Sequence, residues 1–232
     1  MDFQNILQFL IEPIDNYCER IDDSLWSEPL NFLSNVAFFL VAWRLYHLAG
    51  KVEKEPARKA LVYLSIIAAL VGVGSSLFHS IPNLITQAAD VFPIALFVTL
   101  CVYFYFRERA DRGRPIRRSL TICILFILIF PLIGKITGLA AYLSHGEFYL
   151  GIMPALASLV VFEENKAKRI RLVAATLLFI LAFSARTLDV YACAHFPLGT
   201  HFIWHLCCAS VAYLIGSTQA MPERKMGAPG LP

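Results

Sequence analysis

The chain has 232 residues, 58% of them hydrophobic and 16% charged, with a formal net charge of +3 and a mean hydropathy of +0.62. Soluble domains carry roughly 25% charged residues, so this composition excludes a water-soluble globular protein, and so small a net charge offers no nucleic-acid surface. The expectation is a single-domain, all-α polytopic membrane protein, because the apolar segments leave no room for a sizeable soluble domain.

Residues 1–28 read as an outer N-terminal segment. They carry Asp2, Glu12 and Asp15 and lack a basic run before an apolar stretch, so nothing there resembles a cleavable signal peptide. Seven apolar segments follow, at approximately 29–49, 57–78, 85–106, 116–133, 148–162, 172–188 and 198–216. Most approach the roughly 20 residues that span a bilayer as helix. The fifth is short and carries Gly151 and Pro154, which leaves a re-entrant piece over 135–149 open. Together, 29–220 form a seven-helix transmembrane domain, and 221–232 a tail.

Basic residues set the expected orientation. Lys51, Lys54, Arg58 and Lys59 follow the first segment; Arg107, Arg109, Arg112, Arg114, Arg117 and Arg118 follow the third; Lys166, Lys168, Arg169 and Arg171 follow the fifth. With Arg44, Arg224 and Lys225, 17 of the 20 basic residues fall on one side, leaving Arg20, Lys135 and Arg186 for the other. The positive-inside rule then places the N-terminus outside and the C-terminus in the cytoplasm, an alternation that needs an odd number of spans.

On that topology the unusual polar residues share one depth. Ser75 and His79 end the second segment, Asp90 begins the third, Asp189 ends the sixth, and His201 and His205 begin the seventh, all at outer helix ends. Glu28, Asn31, Ser34 and Asn35 open the first segment at the same level. Ionisable groups at such positions are costly in hydrocarbon and mark functional sites. Residues four apart share a helix face, so His201 and His205 can chelate one ion and Ser75 stands one turn from His79. Three imidazoles leave a fourth tetrahedral position open, as in a catalytic zinc site. Zinc lowers the pKa of water to about 7, Asp90 is placed to manage its proton, and Ser75 to orient the carboxylate or donate to a developing oxyanion.

Plainer readings stand beside these. A histidine inside a membrane is often a helix-to-helix hydrogen-bond partner, Asp90 can pair with Arg186, and Ser75 can bond its own helix backbone while Ser76 takes the polar role. His47, His145 and His195 fall at interfaces or in loops and read as solvated.

The blocks Glu28-x-x-Asn31-x-x-Ser34-Asn35, Ser75-x-x-x-His79 with Asp90, and Asp189-x-x-x-Cys193 with His201-x-x-x-His205 resemble those of the alkaline ceramidases. That family sits in a superfamily of seven-helix membrane hydrolases that also holds the progestin and adipoQ receptors. The resemblance spans Tyr17 to His205. It implies a zinc-dependent amidase that cleaves ceramide to a sphingoid base and a fatty acid, with His79, His201 and His205 as ligands and Ser75 and Asp90 assisting. The partners implied are a ceramide-like lipid and the bilayer itself. The site would be periplasmic in a bacterium and lumenal in a eukaryote.

Glu19, Asp22, Asp23 and Glu28 supply hard oxygen donors within ten residues, a composition suited to Ca²⁺, although an acidic solvated loop explains them equally. In the ceramidases the corresponding stretch resembles Asp-Trp-Cys-Glu, here Asn16-Tyr17-Cys18-Glu19, so Asn16, Tyr17, Glu19 and Glu28 are the calcium candidates. An Asn of the family pattern is Ile21 here, and the spacing to Glu28 is shorter. Cys18 and Cys193 both fall in outer segments, where an oxidising compartment permits a bridge, and a disulfide between them is expected. Cys101, Cys123, Cys207 and Cys208 fall within helices as packing residues. Two rival functions remain: a lipid receptor that keeps zinc as a structural clamp, and a hydrolase of another lipid amide or ester.

Overall fold

A computed structural model describes residues 2–107, 121, 129–138, 142–143 and 146–222. Among them every regular element is helical: α1 (Phe3–Ile11), α2 (Pro29–Ser34), α3 (Val36–Ala49), α4 (Glu55–Ser80), α5 (Leu84–Arg107), α6 (Phe130–Thr137), a 3₁₀ turn (Glu147–Gly151) running into α7 (Ile152–Phe162), α8 (Lys166–Ala192) and α9 (His201–Ser217). Among the described residues, four stretches are long and apolar enough to cross a membrane, Pro29–Ala49, Glu55–Ser80, Leu84–Arg107 and Lys166–Ala192. The chain is thus multi-pass by length and composition. Most of the fourth apolar segment, and with it Cys123, lies outside the described residues, as do His145, Arg109, Arg112, Arg114, Arg117, Arg118, Arg224 and Lys225.

Local chemistry sets the helix ends. Pro56 occupies the first turn of α4, where a missing N–H costs nothing, and Pro82 follows the helix it ends. Asn165 Oδ1 caps α8 by accepting from the backbone N–H of Ala167 and Lys168. The first expected span is divided at Asn35, whose N–H donates to the Phe32 carbonyl while Phe38 N–H donates to Asn35. These i to i+3 bonds tighten one turn without ending the span.

Buried positions on α8, namely Lys168, Leu172, Ala175, Phe179, Ala182, Ala185, Arg186 and Asp189, recur every three or four residues. They form one inward stripe. Its alanines let α8 lie close on α9, while Ile170, Leu177, Leu181 and Leu188 remain exposed on the other face. Exposed large apolar groups on a helix with a buried stripe suit a bilayer outside the bundle. The core runs through Leu45, Leu61, Leu64, Val102, Leu156 and Phe179, each at most 2% exposed. Helix α4 packs on both α3 and α5, and α9 on α3. At one end of this bundle the starts of α2, α5 and α9 meet the ends of α4 and α8.

Candidate metal centre

His79, His201 and His205 converge at that end. Each offers a ring nitrogen within 4.8 Å of the others, and the residues are 1–2% exposed. His79 Nε2 lies 3.1 Å from His205 Nε2. Zn–N bonds of about 2.0–2.1 Å at tetrahedral angles place two ligand nitrogens about 3.3 Å apart, so the pair has the spacing of one edge of such a polyhedron. His201 Nδ1 is buried and makes no hydrogen bond. A buried orphan nitrogen beside two facing imidazoles fits a donor set that a cation completes.

The outward nitrogens are held. His79 Nδ1 is 2.5 Å from Glu28 Oε2 and His205 Nδ1 is 2.7 Å from Ser34 Oγ. A carboxylate or hydroxyl on the far nitrogen selects the tautomer whose lone pair points at the metal. Residue patterning did not assign these roles to Glu28 and Ser34. The available signal was their recurrence with Asn31 and Asn35 at the polar start of an otherwise apolar helix.

The α9 start is fixed from outside its own helix. Asp189 Oδ1 accepts the N–H of Thr200 at 2.5 Å and of His201 at 2.9 Å, while Oδ2 accepts from Cys18 N–H at 3.0 Å. The helix begins at His201, three residues later than the apolar run, because Gly199 takes a φ of +64° immediately before it. The expected Cys18–Cys193 disulfide is formed and ties the N-terminal segment to the loop after α8. Tyr17 then stacks on His201 with ring centroids 3.8 Å apart, and burial pushes its phenol up to about 12.

Ser75 Oγ lies 3.4 Å from His205 Nε2 and beside the Asp90 carboxyl. Both are buried. With His205 they form the polar end of a cavity that continues past Phe97 and Phe179 to Ile215. His205 and Ile215 are ten residues apart on α9, so the cavity runs about 15 Å along that helix. Its length is apolar. Arg186, offered above as an alternative partner for Asp90, is buried, packs over the Tyr149 ring at 5.1 Å and donates to the Leu143 carbonyl.

Three of the four calcium candidates, Tyr17, Glu19 and Glu28, make hydrogen bonds within the protein. Glu19 accepts the backbone N–H of Leu30 at 2.6 Å and Asn31 at 2.8 Å, capping α2, and burial holds its carboxyl above the usual range despite those bonds. Glu28 accepts from Arg20 Nε at 2.6 Å and Asn31 Nδ2 at 3.0 Å besides its contact with His79. Burial alone would raise Glu28, but hydrogen bonds from His79, Asn31 and Arg20 outweigh it and hold the carboxyl low. The Tyr17 carbonyl accepts the backbone N–H of Arg20 at 3.2 Å, and the calcium expectation gains no support from these contacts. Among the described residues the convergent group of three or more His, Cys, Asp or Glu donors is the histidine triad. His47 ends α3, where it stacks with Trp43, and His195 lies in the loop before α9.

Compared with known proteins, residues 15–224 match the model of a protein family described as Ceramidase. No curated protein matches the chain, and no solved structure does.

Proposed function

The chain belongs to the ceramidase family, and on that premise we propose that it is an intramembrane zinc-dependent amidase cleaving ceramide or a ceramide-like lipid to a sphingoid base and a fatty acid. The family implies a hydrolase with a lipid substrate. The observation that carries the finer reading is the meeting of three buried histidines, one of which, His205, lines the polar end of an apolar cavity together with Ser75 and Asp90.

His79, His201 and His205 would hold the ion. A bound zinc supplies Lewis acidity, polarising a carbonyl and lowering the pKa of water to about 7. Asp90 takes the proton that water loses as it attacks the amide carbon and returns it to the departing nitrogen as the C–N bond breaks. Ser75 Oγ–H donates to the carbonyl oxygen as negative charge develops there. Glu28 and Ser34 hold two of the imidazoles in place, and the apolar lining seats an acyl chain while keeping bulk water from the reacting amide. The same reading has seven spans, an outside N-terminus and a metal centre near the non-cytoplasmic face.

The test is purification in detergent, measurement of bound zinc, and assay of fatty-acid release from a panel of ceramides and other lipid amides and esters. Stoichiometric zinc and release from ceramides is the expected result. A zinc-loaded protein that hydrolyses esters or other amides but no ceramide would sink the substrate assignment, and a protein that hydrolyses nothing would favour the receptor class.

A further inference from the structure

Arg20 is 8% exposed, and its guanidinium is engaged on every side. Nε donates to Glu28 Oε1 at 2.6 Å, Nη1 to the Asp22 carbonyl at 3.0 Å and Nη2 to the His79 carbonyl at 3.1 Å. Glu28 in turn contacts His79 Nδ1. Arg20, Glu28 and His79 thus close a ring, in which the guanidinium grips both the carboxylate that orients the imidazole and the backbone of that same histidine. Both side chains of the Arg20–Glu28 pair are at most 4% exposed.

A carboxylate so deeply buried needs a cation beside it to remain ionised. The acidic outer segment suggests a divalent ion for that task, yet its donors do not fit one. Both oxygens of Glu19 take backbone N–H groups, Ile21 places an 87% exposed apolar side chain where a ligand would be wanted, and the Tyr17 carbonyl accepts the backbone N–H of Arg20 at 3.2 Å. The position beside Glu28 is filled by Arg20.

Resting on the reading of the histidines as a metal site, we infer that Arg20 is a positioning residue, a built-in cation that does the work of a structural divalent ion by holding Glu28 and, through it, His79. The metal centre of this chain is therefore independent of calcium. Unlike a bound ion, the guanidinium cannot be removed by chelation or lost at low calcium, and its planar donor fork fixes the direction of the carboxylate as well as its charge.

The experiment uses the full chain in detergent, as the parent and as Arg20→Gln, Arg20→Lys and Glu28→Gln. Zinc affinity is measured against a competing chelator, the Co²⁺-loaded absorption spectrum is recorded, and the thermal midpoint is read with added Ca²⁺ and with a calcium-selective chelator. The parent should show one midpoint in both conditions. Arg20→Gln and Glu28→Gln should each bind zinc about 10–100-fold more weakly, the usual cost of losing an outer partner of a metal-bound histidine. Their cobalt spectra should shift, and Arg20→Lys, which keeps the charge but not the fork, should fall between. If Arg20→Gln cannot be purified folded, the calcium titration of the parent still decides, because a midpoint that rises with Ca²⁺ would overturn the inference. Zinc affinity and a cobalt spectrum unchanged in Arg20→Gln would overturn it alone, leaving the function intact. Absence of zinc binding in the parent would overturn both.

Discussion

At Asp90 burial and chemistry pull together. Its carboxyl is buried at the polar end of the cavity beside Ser75, outside the group of nitrogens that converge on the metal position. Asp90→Asn keeps the shape and removes the exchangeable proton, so it should retain zinc and lose about 10²–10⁴-fold in turnover, the usual contribution of a positioned acid or base. His205→Ala should instead lose zinc along with activity. Bound metal and turnover measured on the same preparations separate these roles, and full activity in Asp90→Asn would remove Asp90 from the chemistry. The histidine spacing of α9 was readable from sequence because the i, i+4 face is a local property. The partners of His79 and His205 were not, because Glu28 and Ser34 lie 51 and 171 residues away and nothing local connects them.

Among the elements, the turn before α9 is the most constrained. Gly199 has a φ of +64°, and a Cβ there would collide with Asp189 Oδ1 and approach Cys18 Cβ to 2.8 Å. Gly199→Ala therefore combines left-handed backbone strain of about 1–2 kcal/mol with displacement of the carboxylate that caps His201. The expected outcome is a lower thermal midpoint together with weaker zinc binding, read by thermal melts and chelator competition; a variant unchanged in both would show that the cap does not govern the metal centre. Helix α4 meets α5 just as closely, since a Cβ on Gly74 would strike the Ala89 carbonyl oxygen. That contact brings Ser75 and Asp90 to the same cavity. The apolar runs of α4 and α5 were located from sequence to within two residues of the helix ends, whereas α8 extends beyond its apolar run at both ends, from Lys166 to Ala192, and α9 starts later because backbone handedness at Gly199 outranks hydrophobicity at Leu198.

For the molecule as a whole, the distribution of lysine and arginine is a testable statement about orientation. The proposed topology puts the C-terminus in the cytoplasm and the Cys18–Cys193 bridge on the opposite, oxidising side. A C-terminal fusion should therefore be active as a cytoplasmic fluorescent reporter and inactive as a phosphatase that needs an oxidising compartment; the reverse pattern would invert the topology. Composition alone determined that this is a multi-pass helical membrane protein. The spacing of serine, aspartate and histidine determined that its polar groups share one depth, since rise per residue and burial stripe are set within each helix. Only the tertiary structure decided which groups meet at that depth. The rotation of one helix about its axis relative to another is set by packing, and packing turned Glu28 and Arg20 from candidate ligands and an unassigned charge into the clasp on His79.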